Sequence, residues 1–241
     1  MASADQYTWL ITGCSRGIGL GLTEQLLKDP ANYVIATCRN PEKATALNAP
    51  KETAKGTLHV LKLDVNDLDA IRNSLNEVAP LLEKTGLDYL VNNAAVNQKI
   101  DTAFTMDVEG WGAVFKTNML APALLGQVYI PLIEKSKKKT IVNVLSSLGS
   151  FGYGFGELWA SYAITKTAVN MLTFKQKAER PDLMIISLCP GWVKTGKLNM
   201  GTNDAPLELI ESVTAIAKVL KSLKPEDNGK LINYKHEVVP W

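Results

Sequence analysis

The sequence predicts an α/β protein of the doubly wound kind, with a central parallel sheet of about seven strands flanked by helices. Three observations predict it. Short, near-continuous apolar runs recur along the chain, longer helical patterns separate them, and the first run ends in a glycine-rich turn that opens a helix. A strand covered on both faces has no polar side to show, so continuous apolar runs indicate parallel strands between two helix layers.

In order, Tyr7 to Thr12 is the first strand, and a helix over 17–28 follows its glycine turn. Tyr33 to Cys38 and Leu58 to Leu63 are the next strands, and a helix over 67–84 leads to a fourth strand, Leu87 to Val91. A helix over 107–134 precedes the strand Thr140 to Leu145, and one over 160–178 precedes Met184 to Cys189. A helix near 206–222 and a last strand at 230–234 complete the pattern. The helices are long enough to cross from one parallel strand to the next, which makes this a Rossmann-type arrangement.

The 241 residues carry 46% hydrophobic and 21% charged side chains, enough apolar material for a packed core. Residues 1–241 are expected to form a single Rossmann-type domain, since no Pro-, Gly- or Ser-rich linker divides them. Lys and Arg number 26 against 24 Asp and Glu, too balanced for the basic face a nucleic-acid partner demands. Cys14, Cys38 and Cys189 have no CxxC spacing and lie in or beside apolar runs, as reduced thiols of a cytoplasmic protein would. No apolar stretch approaches a membrane span, and His59 and His236 have no companions at metal-ligand spacing, so neither membrane nor metal is expected.

The first turn reads Thr12-Gly13-Cys14-Ser15-Arg16-Gly17-Ile18-Gly19. Between a strand and a helix, such glycines let backbone approach a pyrophosphate at the helix N-terminus, although they also serve close helix–strand packing. The second strand ends in Cys38-Arg39-Asn40. An acidic residue there would bond a ribose 2′-OH, whereas a cation accommodates a 2′-phosphate. Arg39, with Arg16 as a second guanidinium, therefore points to NADP(H).

Further on come Asn92-Asn93-Ala94-Ala95 after the fourth strand, Asn118 mid-helix, Ser146-Ser147 after the fifth strand, and Tyr162-Ala163-Ile164-Thr165-Lys166 on the next helix. Tyr162 and Lys166, four positions apart, share one helix face. A tyrosine hydroxyl has a reference pKa of about 10, and a neighbouring ammonium is expected to lower it by stabilising the phenolate. Taken with the TGxxxGxG turn and Pro190-Gly191-Trp192-Val193-Lys194-Thr195, the chain resembles the short-chain dehydrogenase/reductase family over practically its whole length. The short segment after Thr195 and the ending Val239-Pro240-Trp241 look most like Sniffer-type carbonyl reductases.

That resemblance implies a catalytic set of Asn118, Ser147, Tyr162 and Lys166, with Ser147 on the substrate oxygen, Lys166 also on the nicotinamide ribose and Asn118 holding a relay water. It implies cofactor contacts from Gly13, Ser15, Arg16, Gly17, Ile18 and Gly19, from Arg39, and from Asp64 and Val65. Asn92, Ala94, Tyr162, Lys166, Pro190, Gly191, Val193 and Thr195 complete the expected cofactor site. Asp64 has a second reading, as the N-cap of the following helix.

Two departures from the family pattern matter. Ala95 stands where glycine is usual, and Ser147 to Tyr162 spans 15 positions, two more than the commonest spacing. The serine turn must therefore bulge, and Ser146 stays open as the catalytic hydroxyl. The intervening loop alternates glycine with aromatics, so Leu148, Phe155 and Trp159, with Trp192 and Met200 opposite, are expected to line the pocket of an apolar or aromatic carbonyl substrate. The expected activity is NADPH-dependent reduction of an aldehyde or ketone, with Tyr162 as proton donor. Alternatives are a cofactor-sensing regulatory protein of the same fold and an epimerase or dehydratase of the same family. Surplus apolar residues at 119–125 point to a homodimer through the 107–134 and 160–178 segments.

Overall fold

A computed structural model describes residues 6–49, 54–97, 100–195 and 205–241. Eight strands form one sheet in the order β3-β2-β1-β4-β5-β6-β7-β8. They are β1 (Tyr7–Ile11), β2 (Asn32–Cys38), β3 (Thr57–Lys62), β4 (Tyr89–Asn92), β5 (Thr140–Val144), β6 (Met184–Cys189), β7 (Leu231–Asn233) and β8 (Val238–Val239). Seven run parallel, and β8 returns antiparallel to β7 with Val239 opposite Leu231. The expected seven-stranded parallel sheet thus gains an antiparallel edge.

The helices are α1 (Gly17–Leu26), α2 (Thr45–Asn48), α3 (Leu68–Leu81), α4 (Val108–Phe115), α5 (Ala121–Lys135), α6 (Ala160–Glu179) and α7 (Leu209–Lys221). The single helix expected over 107–134 is instead α4 and α5 joined by a π-helical turn, Lys116–Leu120, which carries Asn118. Such a turn shifts the hydrogen-bond ladder by one residue, a device frequent at functional sites.

Alternating side chains of the buried strands feed two cores. Trp9, Ile11 and Val34 pack with Leu22 and Leu26 of α1 and Ile216 and Leu220 of α7. Leu10, Ile35 and Leu90 pack with Ile71 and Val78 of α3 and Tyr129 and Ile133 of α5. Trp9 stacks on Tyr89 at 3.7 Å between ring centroids and donates its indole N–H to Asn32, 2.9 Å away. These contacts pin β1 between β2 and β4, where the strand order reverses and the loops after the strands part to leave a crevice.

Candidate active site

The crevice opens into a cavity of about 600 Å³ bordered by the loops that follow β1 to β6. At its floor the Thr12 hydroxyl accepts the N–H groups of Asn93 and Ala94, both at 3.0 Å, which welds the loop after β1 to the loop after β4. Gly13 makes the weld possible: its φ is +73°, and a Cβ there would lie 2.9 Å from Ala94 Cα. α1 then begins with no side-chain cap and no acidic residue in its first turn. Its first N–H groups are left for a ligand, as an anion site needs.

Arg16 and Arg39 are both exposed and both border this end of the cavity. Neither guanidinium has a hydrogen-bond or ion-pair partner among the described residues. Asp64 also lies on the wall, where its carboxylate accepts the Asn66 N–H at 3.0 Å. The cap of α3 is Asp67, which accepts from Asp69 and Ala70, so the N-cap reading of Asp64 is overturned. An uncapped helix start, two unpaired guanidiniums and a carboxylate around one cavity make a donor set that fits a phosphorylated dinucleotide.

At the other end stand the serines and the tyrosine–lysine pair. Ser147–Gly149 form a single 3-10 turn after β5, and a Cβ on Gly149 would lie 2.8 Å from the Lys166 main chain. Backbone therefore presses directly on α6. The Gly149 carbonyl accepts from Asn170 at 3.1 Å and Thr167 at 3.2 Å, which fixes the turn to the helix that carries Tyr162 and Lys166. Ser146 spends its hydroxyl oxygen on the Leu148 N–H at 3.3 Å. Ser147 lies next to the Cys189 thiol, which in turn lies beside Tyr162 and Lys166.

Lys166 is 2% exposed and donates to the Val144 carbonyl at 2.9 Å, with its nitrogen 5.5 Å from the Tyr162 ring centroid. Burial is the main influence on both groups. It pushes the Tyr162 hydroxyl up from its ordinary value, with Cys189 adding to the rise, and brings the Lys166 ammonium down to about 8. The expectation of a tyrosine lowered by its lysine is thus corrected: desolvation dominates, and the ammonium is engaged by a carbonyl. A neutral tyrosine at neutral pH is a proton donor, the form that reduction of a carbonyl requires.

The lysine carries a stability consequence. Between pH 8 and its ordinary 10.5 the unfolded chain holds a proton that folded Lys166 has released, so stability rises with pH across that window. Below pH 8 the full burial cost is present. Urea unfolding should show wild type gaining on Lys166→Met from pH 8 to 10.5 and holding a constant difference below it.

Three expected site residues lie behind the wall. Gly19 is buried where a Cβ would meet the Gly13 carbonyl at 2.5 Å, so it serves the packing of α1 against the loop. Asn92 points into the sheet and donates to Asn143 at 2.8 Å; the neighbouring Asn93 borders the cavity in its place. Asn118 is 1% exposed, with its amide accepting from Val96 N–H at 2.9 Å and donating to Val96 C=O at 2.8 Å and Thr165 at 3.1 Å. Both donors of its amide are consumed, so the side chain acts as a brace between the loop after β4 and α6. Asn118→Ala strands both main-chain groups of Val96, and thermal melts should show a loss of about 1–3 kcal/mol.

Ser15, Gly17, Ile18, Val65, Ala94, Pro190, Gly191, Val193 and Thr195 all border the cavity, as do Leu148, Phe155, Trp159 and Trp192. Met200 lies outside the described residues. Ile100 and Leu158 also join the apolar wall. Asp101 is a structural partner that the sequence did not disclose: it accepts the Ser161 N–H at 3.2 Å and so caps α6 from 60 residues away. α6 needs this help, because its own cap residue, Trp159, is left-handed at φ +64° and offers no side-chain bond.

Fold and cavity define the class: a Rossmann-like α/β protein whose strand-order reversal opens onto serine, tyrosine and lysine. The chain belongs to the short chain dehydrogenase family, matched over residues 8–205, and is an oxidoreductase of that family. It is 31% identical to a norsolorinic acid ketoreductase of Aspergillus parasiticus, over 98% of this chain and 92% of that one. It superimposes on the carbonyl reductase Sniffer of D. melanogaster with a TM-score of 0.91 and 29% identity, covering 98% of this chain and 100% of that one. For the NADPH-bound carbonyl reductase from chicken fatty liver the TM-score is 0.89 with 31% identity, over 98% and 94% of the two chains.

Proposed function

We propose that this oxidoreductase is an NADPH-dependent carbonyl reductase acting on apolar or aromatic aldehydes and ketones. The observation that carries the proposal is one cavity bordered by Ser147, Tyr162 and Lys166 at one end and, at the other, by Arg16 and Arg39, which have no partner among the described residues. Likeness to an NADPH-bound carbonyl reductase and to a ketoreductase supports it. When bound, the reduced nicotinamide supplies hydride. Everything else falls to the chain.

The first turn of α1 and the loop Gly13–Ile18 hold the pyrophosphate, Arg16 and Arg39 the 2′-phosphate, and Asp64 and Val65 the adenine. Pro190, Gly191, Val193 and Thr195 flank the nicotinamide end together with Ala94, and Lys166 holds its ribose. Ser147 donates to the substrate oxygen, and Tyr162 gives that oxygen its proton as negative charge grows on it. Ser147 takes this role in this reading; Ser146 accepts the Leu148 N–H at 3.3 Å but keeps its own O–H, so it stays the alternative. Leu148, Phe155, Leu158, Trp159 and Trp192 exclude water and favour apolar groups.

Residues 1–241 act as one catalytic unit in this reading, in the cytoplasm, where the three buried free thiols would stay reduced. The unit pairs as a homodimer. Ile164, Met171 and Phe174 of α6 are exposed along one helix side, and Leu120 is exposed at the end of the π-helical turn that contacts α6. Sedimentation at micromolar concentration should give twice the 26.3 kDa chain mass, and a single species of one chain contradicts the pairing. The activity itself is tested by following NADPH oxidation with aldehydes, aromatic ketones, quinones and diketones. Turnover with at least one apolar class is expected, and a flat result across all classes removes the reading.

A further inference from the structure

The edge strand β8 is only two residues long, yet its continuation reaches the substrate wall. Val239 is buried with Leu145 and Cys189, the residues that precede the serine turn and the Pro190-Gly191 turn. Beyond it, Pro240 and Trp241 lie against the loop that follows Ser147–Gly149. The buried Ser150 hydroxyl donates to the Pro240 carbonyl at 2.6 Å, and the Gly152 N–H donates to a main-chain oxygen of Trp241 at 2.8 Å. A Cβ on Gly152 would stand 2.7 Å and 2.8 Å from the Pro240 ring carbons.

Among the described residues, these are the two hydrogen bonds that tie 150–158 to a distant part of the chain. Residues 151–158 are all exposed, and Gly154 and Gly156 take positive φ with open space around them. A loop with few buried contacts and glycine hinges belongs to the easily opened part of a fold. It nonetheless supplies Phe155 and Leu158 to the cavity.

We infer that Val238–Trp241 is a strap that fixes this loop, and that Ser150, Gly152 and Pro240 are positioning residues which set the reductase's preference for bulky apolar carbonyl compounds. The strap holds both ends of the loop's first turn, so losing it lets Phe155 and Leu158 leave the wall. Small substrates, which do not fill that wall, are spared. The preference rests on the carbonyl-reductase reading; the strap itself does not.

Hydrogen exchange of peptides spanning 150–158 is compared in wild type, Ser150→Ala, Gly152→Ala and a chain lacking Pro240 and Trp241. One neutral hydrogen bond corresponds to roughly a fivefold change in an opening equilibrium. Ser150→Ala, which loses one bond, should therefore exchange about fivefold faster there, the shortened chain, which loses both, roughly 25-fold faster, and Gly152→Ala, whose Cβ would stand 2.7 Å from Pro240, faster than wild type. Each should raise KM for a bulky aromatic ketone and leave KM for a small aliphatic aldehyde and the Kd for NADPH unchanged. Unaltered exchange in Ser150→Ala and Gly152→Ala overturns the strap, and equal KM changes for small and bulky substrates overturn its role in specificity. Faster exchange in a protein whose wild type reduces no carbonyl compound upholds the strap and overturns the reductase reading alone.

Discussion

Tyr162→Phe should lower reductase turnover by about 10²-fold or more while NADPH binding stays nearly normal. The substitution removes one oxygen and keeps the ring, so the α6 surface beside Lys166 and the cavity shape are preserved. What disappears is the proton donor. Because burial raises the tyrosine hydroxyl from its ordinary value, wild type keeps it protonated through neutral pH. Reductive turnover should then show no loss that tracks tyrosine ionisation between pH 6 and 8. Single-turnover kinetics with a titration of NADPH fluorescence separate the two effects. Near-normal turnover in the phenylalanine variant removes Tyr162 from the chemistry, and a parallel collapse of NADPH binding reassigns it to the cofactor site.

Arg39→Asp should turn the cofactor preference from NADPH towards NADH. A 2′-phosphate carries close to two negative charges and strong acceptor oxygens, and charge-assisted hydrogen bonds to it are worth about 1.5–3 kcal/mol each. Arg39 is exposed, so solvent screening places its contribution near the lower end, which still means a tenfold or larger rise in KM for NADPH. Aspartate goes further than alanine because it repels the phosphate yet accepts from a free 2′-OH. Steady-state kinetics with both cofactors on wild type, Arg39→Ala, Arg39→Asp and Arg16→Ala provide the comparison. Equal losses for the two cofactors assign these arginines to the pyrophosphate or the fold instead.

The parallel sheet was legible because each buried strand is a run of apolar residues long enough to stand out, as in Met184–Cys189. β8 was not, since two residues followed by proline show no periodicity at all. The π-helical turn around Asn118 was equally hidden: a one-residue shift in backbone bonding leaves the apolar pattern of α4 and α5 intact. Within the site, spacing along one element placed Tyr162 with Lys166, and strand ends placed Arg39, Asp64 and Ser147 on the cavity. Spacing fails where the partner is remote. Neither Asp101 capping α6 nor Asn118 bracing Val96 leaves a local trace. The choice between Asn92 and Asn93 was within reach, because side chains alternate along a strand and β4 ends at Asn92 facing Asn143.

The central claim is transfer of a hydride to a carbonyl carbon with a proton from Tyr162, and isotope transfer tests it most directly. Wild type is incubated with NADPH carrying deuterium at both hydrogen positions of the reactive nicotinamide carbon and an aromatic ketone that it turns over, and the product is analysed by mass spectrometry. The account predicts an alcohol carrying one deuterium on the former carbonyl carbon, formed at least 10²-fold more slowly by Tyr162→Phe. An alcohol without deuterium, or one formed equally fast by the variant, contradicts it.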